Sequence, residues 1–193
     1  MAVSARKPAI APSLPAVTDA ISMLKEAHRQ VTEWFAEFAS AKSATRKRDL
    51  ALQICHALRI HMAIEEEIFY PAFLQATDDD VILDGAESDH ANARRLINEL
   101  LSVESMDELD DATVRLLNDV IAQHTDGQEC AGGMFVEAEE SDMDLEWLGS
   151  QLRARQQQLE QDWIHDAAKP LKAAAEHDAG AQIPDAGLLG SMV

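Results

Sequence analysis

Residues 61–71 read HMAIEEEIFYP. Residues i and i+4 of an α-helix lie one above the other on the same face, so His61 and Glu65 point in the same direction. The residues that flank them, among them Ile64 and Phe69, make this face mostly apolar. The stretch therefore predicts an imidazole and a carboxylate side by side on the inner face of a helix.

The composition indicates one globular, helical domain. The chain has 193 residues, of which 47% are hydrophobic, 26% charged and only 5% aromatic, and abundant Ala and Leu favour helices over strands. A formal net charge of −19 repels phosphate groups, so we expect neither nucleic acid nor a membrane as a partner. Cys55 and Cys130 form no disulfide framework, and no signal peptide or long apolar run is evident. These features predict a cytoplasmic protein.

The periodicity predicts an all-α fold, an up-down-up-down four-helix bundle over residues 18–165 that includes an additional C-terminal helix at about 144–164. The four bundle helices are expected at about 18–39, 45–76 and 81–101 and from Met106 onward, and Pro71 should kink or break the second. Three glycines (Gly127, Gly132 and Gly133) should end or distort the fourth. Residues 1–17 are expected to form a flexible leader and residues 166–193 a weakly ordered tail.

Four of the seven histidines lie on the apolar stripes of four different predicted helices: His28, His61, His90 and His124. A single histidine on an apolar face is usually a core residue with a hydrogen-bond partner. Four of them in register with four stripes would converge inside the bundle, where they cannot all be protonated. A divalent metal accounts for such a cluster, and the carboxylate of Glu65 favours iron or manganese over a thiolate-type zinc site.

A bridging carboxylate would allow the cluster to hold two metals, and a second bridge should come from the region after His124. Glu129 follows His124 by five residues, and Asp126 and Gln128 are close by. A two-metal site with one open position would bind a small ligand such as dioxygen. Of the other acids, Glu66 and Glu67 are expected on a solvated face, although either could hydrogen-bond a ligand histidine.

These residues resemble the hemerythrin-like, or HHE cation-binding, domains of bacteria. HMAIEEEIFYP is the most specific part of a resemblance that covers roughly residues 18–160. It implies a four-helix bundle with a non-haem di-iron centre that binds dioxygen or another diatomic or oxidant, or that handles iron. It also implies six metal-binding residues: His28, His61, Glu65, His90, His124 and Glu129.

Two features of the chain depart from the pattern of that family. Hemerythrins carry a second histidine four residues after the ligand of the third helix, where this chain has Arg94. In the family an unbroken helix runs from the last histidine through an acidic cluster to Met-Phe-Pro. This chain has about two extra residues there, its three glycines and Val136 in place of the proline. The second bridge is thus Glu129, Asp126 or absent, and two irons are expected, with one or none as alternatives.

Three classes of function fit this reading. The first, and the one we favour, is a metal-binding protein that binds dioxygen or senses oxidants. The second is a di-iron enzyme acting on peroxide or nitric oxide, which would share the same ligands. The third is a helical interaction module whose metal site has degenerated at the glycine-rich break, with a protein partner that the sequence does not identify.

Overall fold

The computed structural model describes residues 19–102 and 110–178, with side chains to residue 163. All regular structure in this part of the chain is helical, which confirms the all-α class. The leader at 1–17 and residues 179–193 of the expected tail lie outside the described residues. The helices are α1 (Ala20–Ser40), α2 (Ala44–Ile64), α3 (Tyr70–Thr77), α4 (Asp80–Leu101), α5 (Asp111–Glu129), α6 (Met134–Glu140) and α7 (Leu145–Asp178).

Aspartates begin four of these helices by accepting hydrogen bonds from backbone N–H groups that have no partner within the helix. Asp19 accepts from the N–H of Ser22 at 2.9 Å before α1, in line with the predicted start of the first helix at about residue 18. Asp110 accepts from the N–H of Ala112 at 3.0 Å before α5. The predicted fourth helix therefore begins at Asp111 within the described residues, while its expected start at Met106 falls outside them.

A π-helical turn, Glu65–Phe69, joins α2 to α3 immediately before Pro71. The backbone N–H of Tyr70 bonds to the carbonyl of Glu65, five residues back. At the expected kink or break near Pro71, the helix instead widens for one turn and then continues as α3. Residues five apart lie on the same side of a π turn, whereas they are separated by about 140° in an α-helix. The turn therefore brings Tyr70 to the same side as Glu65.

Four helices pack in a closed circuit, because α1 contacts α2 and α5, and α4 also contacts both. The side chains inside form a continuous apolar cluster that includes Phe35, Leu50, Leu58, Leu96 and Leu117. The four histidines of the apolar stripes, which we call the seam histidines, each lie between this cluster and the other end of the bundle. Buried side chains at that end include Leu24, Phe73, Leu83 and Met134. The histidines thus form one layer within an apolar core.

The glycine-rich stretch after His124 marks the end of α5, which includes Gly127 and ends at Glu129, as the sequence predicts. Gly132 has a φ of +75°, a conformation that costs glycine little and other residues more. A Cβ on Gly133 would lie 2.6 Å from the carbonyl oxygen of Gly127, so only glycine fits this close approach. The chain then re-enters the bundle as α6, which places Met134 and Phe135 in the core.

Two compact units divide between Gln156 and Gln157. In the first unit, the beginning of α7 buries Leu148 and Leu152. The helix continues to Asp178, past its expected end near residue 164, through a stretch rich in the strong helix formers Ala and Lys. Among the described residues, no helix combines the length and apolar character needed to cross a bilayer.

Candidate metal centre

The four seam histidines and Glu65 are all buried, and the exposure of Glu65 is 0%. Each histidine comes from a different helix of the closed circuit. Four of the five residues bring one potential ligand atom each into a group whose atoms all lie within 4.8 Å of one another: His28, His61, Glu65 and His124. The sequence predicted this convergence.

One oxygen of Glu65 lies at the centre of the histidines. Oε2 is 3.2 Å from Nε2 of His61, 3.2 Å from Nε2 of His90 and 3.6 Å from Nε2 of His124. Burial alone would raise the pKa of Glu65. Electrostatic attraction from His61 and contacts with the neighbouring imidazoles outweigh burial and hold that pKa well below its ordinary value. The site therefore contains a buried carboxylate anion facing several imidazoles.

His28 is fixed by a carboxylate on its outer side. Its Nδ1 lies 2.6 Å from Oε1 of Glu129, and because a carboxylate only accepts, Nδ1 carries the proton. Its Nε2 faces inward, 3.0 Å from Nε2 of His61. Burial, together with electrostatic repulsion between the imidazoles of His28 and His61, lowers the pKa of His28 to about 2. The imidazole is thus neutral, with an unprotonated nitrogen directed into the cluster.

Several buried nitrogens in the cluster have no hydrogen-bond partner: Nδ1 of His61 and both ring nitrogens of His124. Leaving a buried polar group unpaired costs about 1–3 kcal/mol. A core selected only for stability would not keep these atoms together with an anion. Imidazole nitrogens around a carboxylate are, however, suitable ligands for a transition metal. The residues present therefore fit a metal ion.

His90 contacts Oε2 of Glu65 and has two further polar partners. Its Nδ1 is 2.7 Å from Oε1 of Glu66, and its Nε2 is 3.2 Å from the hydroxyl of Tyr70. Burial opposes protonation, but the hydrogen bonds and charges of Glu65 and Glu66 raise the pKa of His90 above its ordinary value. Arg94, one turn later on α4, forms an ion pair with the other oxygen of Glu66.

Gln128 and Tyr70 complete the site, and the sequence interpretation gave neither a role there. Nε2 of Gln128 donates to Oε1 of Glu65 at 2.9 Å and to the hydroxyl of Tyr70 at 3.3 Å. Gln128 lies four residues after His124 and so shares its helix face, the same signal that identified Glu65. Tyr70 faces the site because of the π turn, which the periodicity does not reveal.

Glu129, the predicted second bridge, lies elsewhere than the other predicted ligands. Its carboxylate contacts the outer nitrogen of His28, and its side chain is 33% exposed. It does not belong to the close group of ligand atoms. The alternative bridge, Asp126, is also exposed. The inward position of this turn is taken by Gln128.

A small cavity of about 10 Å³ adjoins the histidines. Besides the imidazoles, its walls are apolar side chains, among them Val31, Leu58, Met62 and Ile121. This volume is at the lower limit for one water molecule, and a water needs polar partners to stay. The lining of the cavity thus favours an apolar molecule over a polar one, while its volume holds nothing larger than a water molecule.

The comparisons with known proteins agree with this geometry. A family model described as the hemerythrin HHE cation-binding domain matches residues 19–129, which is more than half of the chain. The matched region begins at the cap of α1 and ends at the last residue of α5. No curated protein and no solved structure matches the chain.

Proposed function

This chain belongs to the hemerythrin HHE cation-binding domain family, and from this premise we propose that it is a non-haem iron protein that binds dioxygen or another small oxidant. The observation that carries the proposal is the buried group of His28, His61, Glu65 and His124. Its unpaired nitrogens and its anionic oxygen are stabilised together when a cation is bound.

Iron is the metal that best fits the family and the donor set. The ligand atoms are imidazole nitrogens and one carboxylate oxygen, and among the described residues no thiol joins them, since Cys55 lies in the apolar cluster and Cys130 is exposed. Such ligands suit iron, whereas thiolates select zinc or copper(I). When bound, iron supplies redox chemistry and affinity for small diatomic molecules.

The residues around the site determine which small molecule can approach. The cavity beside the imidazoles is apolar apart from those rings, which favours a diatomic molecule over peroxide, whose hydroxyl groups need hydrogen-bond partners. The polar residues Tyr70 and Gln128 lie on the other side, against Glu65. For this reason we favour a protein that binds dioxygen or senses oxidants over an enzyme that breaks down peroxide.

The contacts of the helices also support the finer topology. We infer an up-down-up-down arrangement of α1, α2, α4 and α5, because sequential helices pack side by side and short connections favour antiparallel neighbours. Cys55 and Cys130 are both free, which fits the reducing cytoplasm that we propose as its location.

The first test is a metal count. We would purify the protein aerobically, measure iron, manganese and zinc per chain, and record visible spectra before and after reduction and after exposure to oxygen. We expect bound iron and a charge-transfer band that changes with oxygen. His61→Ala should abolish iron binding, while His56→Ala, a matched substitution on the same helix outside the group, should leave it unchanged.

The outcomes separate the three classes of function. Full iron content in His61→Ala would disprove the site. Turnover of peroxide or nitric oxide by the iron-loaded protein would support the enzyme alternative. A protein that folds without any stoichiometric metal, and whose stability does not change when metal is added, would support the helical interaction module.

A further inference from the structure

We propose that the cluster is built to hold one metal ion rather than a pair, an inference that rests on the metal-binding function proposed above. The ligands assigned to this ion are three imidazole nitrogens and one carboxylate oxygen: Nε2 of His28, His61 and His124, and Oε2 of Glu65. We further propose that Gln128 and Arg94 close the position that a second ion would need.

The two oxygens of Glu65 have different neighbours. Oε2 faces the imidazoles, whereas Oε1 accepts the N–H of Gln128 at 2.9 Å. A carboxylate that bridges two metals normally gives one oxygen to each. Here the second oxygen is engaged by an amide N–H group, which donates hydrogen bonds and does not bind metals. Glu65 therefore offers a single oxygen to a metal.

The spacing of the inward-facing atoms also fits a single ion. Metal–nitrogen distances of about 2.0–2.1 Å place neighbouring ligands of one ion roughly 3.0–3.4 Å apart. Nε2 of His28 and Nε2 of His61 are 3.0 Å apart, and Oε2 of Glu65 is 3.2 Å from Nε2 of His61. Nε2 of His124 lies 3.6 Å from the same oxygen, slightly beyond this range. Two ions separated by about 3.5–4 Å need a second set of donors.

The surroundings of His90 do not supply that second set. His90 is the one remaining imidazole of the cluster among the described residues. Its Nδ1 lies against Glu66, and its Nε2 is 3.2 Å from both the hydroxyl of Tyr70 and Oε2 of Glu65. Gln128, which is 1% exposed, places a neutral amide beside the carboxylate. Arg94 adds a positive charge at the position one turn after His90. A guanidinium cannot act as a ligand and repels a cation.

The charges in and around the cluster also favour one metal ion. One divalent ion is balanced by the buried charge of Glu65 together with that of Glu129, which lies directly behind His28. Glu66 is already paired with Arg94. A second divalent ion would leave two positive charges uncompensated in a site that excludes water, at a large cost in free energy.

The test is a stoichiometry that requires no variant. We would titrate the metal-free full-length protein with Fe²⁺ under anaerobic conditions and measure bound iron per chain by equilibrium dialysis and elemental analysis. We expect one equivalent. After oxidation, an isolated ferric ion gives a strong electron paramagnetic resonance signal, whereas a coupled ferric pair is silent at low temperature. Two equivalents or a silent ferric protein would overturn the inference and leave the proposed function intact. No binding at all would overturn both.

A double variant tests what closes the second position. Arg94→His with Gln128→Glu supplies one imidazole and one carboxylate, and we expect bound Fe²⁺ to rise from one to two equivalents. The matched control is Arg95→His with Gln123→Glu, which makes the same changes at exposed neighbouring positions on α4 and α5 and should stay at one. A double variant that folds with unchanged helicity and still binds one ion would overturn the role given to Arg94 and Gln128.

Discussion

The hydrogen bond between Glu129 and His28 allows a sharp test of the metal centre. Nδ1 of His28 donates to Oε1 of Glu129 over 2.6 Å, and when Nε2 binds a cation the ring becomes a stronger donor. Glu129→Gln keeps an acceptor oxygen but removes its charge. The substitution should therefore weaken metal binding without removing a ligand.

The size of the effect follows from the burial of the two partners. Hydrogen bonds to charged groups contribute about 1.5–3 kcal/mol. Because Glu129 is 33% exposed, water screens part of its charge, so we expect the lower part of this range. A loss of about 1.5–2 kcal/mol corresponds to a Kd raised roughly 10- to 30-fold. Losses of this order are typical of residues that orient metal ligands.

The assay is a competition titration of the metal-free protein with Zn²⁺ or Co²⁺ against a chromophoric chelator. Glu66→Gln is a matched control, since Glu66 contacts Nδ1 of His90 at 2.7 Å but His90 is not among the ligands proposed for the single ion. It should change Kd less than about 3-fold. An equally small change in Glu129→Gln would mean that His28 is not a ligand. Complete loss of binding would mean that Glu129 itself binds the metal, as the sequence predicted.

Three further predictions concern stability. The ring of Phe135 is 1% exposed and stacks on that of His28, with 5.9 Å between the ring centroids. Phe135→Ala should therefore lower the free energy of unfolding by about 3–5 kcal/mol. Chemical denaturation would measure this change, and a loss below about 1 kcal/mol would contradict the packing. Lowering the pH from 7 to 5 should cost the metal-free protein about 2 kcal/mol of stability through His28, because folded His28, with a pKa of about 2, takes up no proton, whereas the unfolded histidine does so below its pKa of 6.5. The raised pKa of His90 acts in the opposite direction and offsets part of this loss, because folded His90 holds its proton more tightly than the unfolded residue does. Urea titrations should therefore give a lower free energy of unfolding at pH 5, and equal stability at the two pH values would refute the assignment. Free metal at about 1,000 times its Kd should raise the free energy of unfolding by about 4 kcal/mol; calorimetry should show this gain in the wild type and not in His61→Ala.

Much of the fold could be predicted because the forces that decide it act locally. The stripes of α1, α4 and α5 repeat at helical spacing, and the structure buries their apolar residues, such as Ile21, Ala93 and Leu117. The glycines near the end of α5 marked its end correctly. The π turn could not be predicted, because a widened turn leaves little trace in the hydrophobic period, and the choice between a kink, a break and a wider turn at Pro71 depends on how the following helix packs.

The sequence predicted which histidines form the site, but it did not predict every residue that faces inward. Helical spacing brought His28, His61, His90 and His124 to one layer, because an apolar stripe fixes the direction in which a side chain points. The i+4 spacing after His124 points to Gln128, as it points to Glu65 after His61, but the sequence interpretation instead assigned the second bridge to the carboxylate of Glu129, five residues after His124. On α5 the inward position goes to Gln128, whose amide donates to Glu65, and the carboxylate next to it faces His28 from outside.

This difference of one residue on α5 bears directly on what the protein can bind. With an amide inside, the carboxylate of Glu65 is held at one oxygen and is left with a single oxygen for a metal. With an anion outside, His28 keeps its proton on Nδ1 and presents Nε2 to the cluster. The same turn thus orients His28 through Glu129 and limits Glu65 to one metal-binding oxygen through Gln128. The number of metal ions that this chain can bind therefore depends on which side chains of this turn face the cluster.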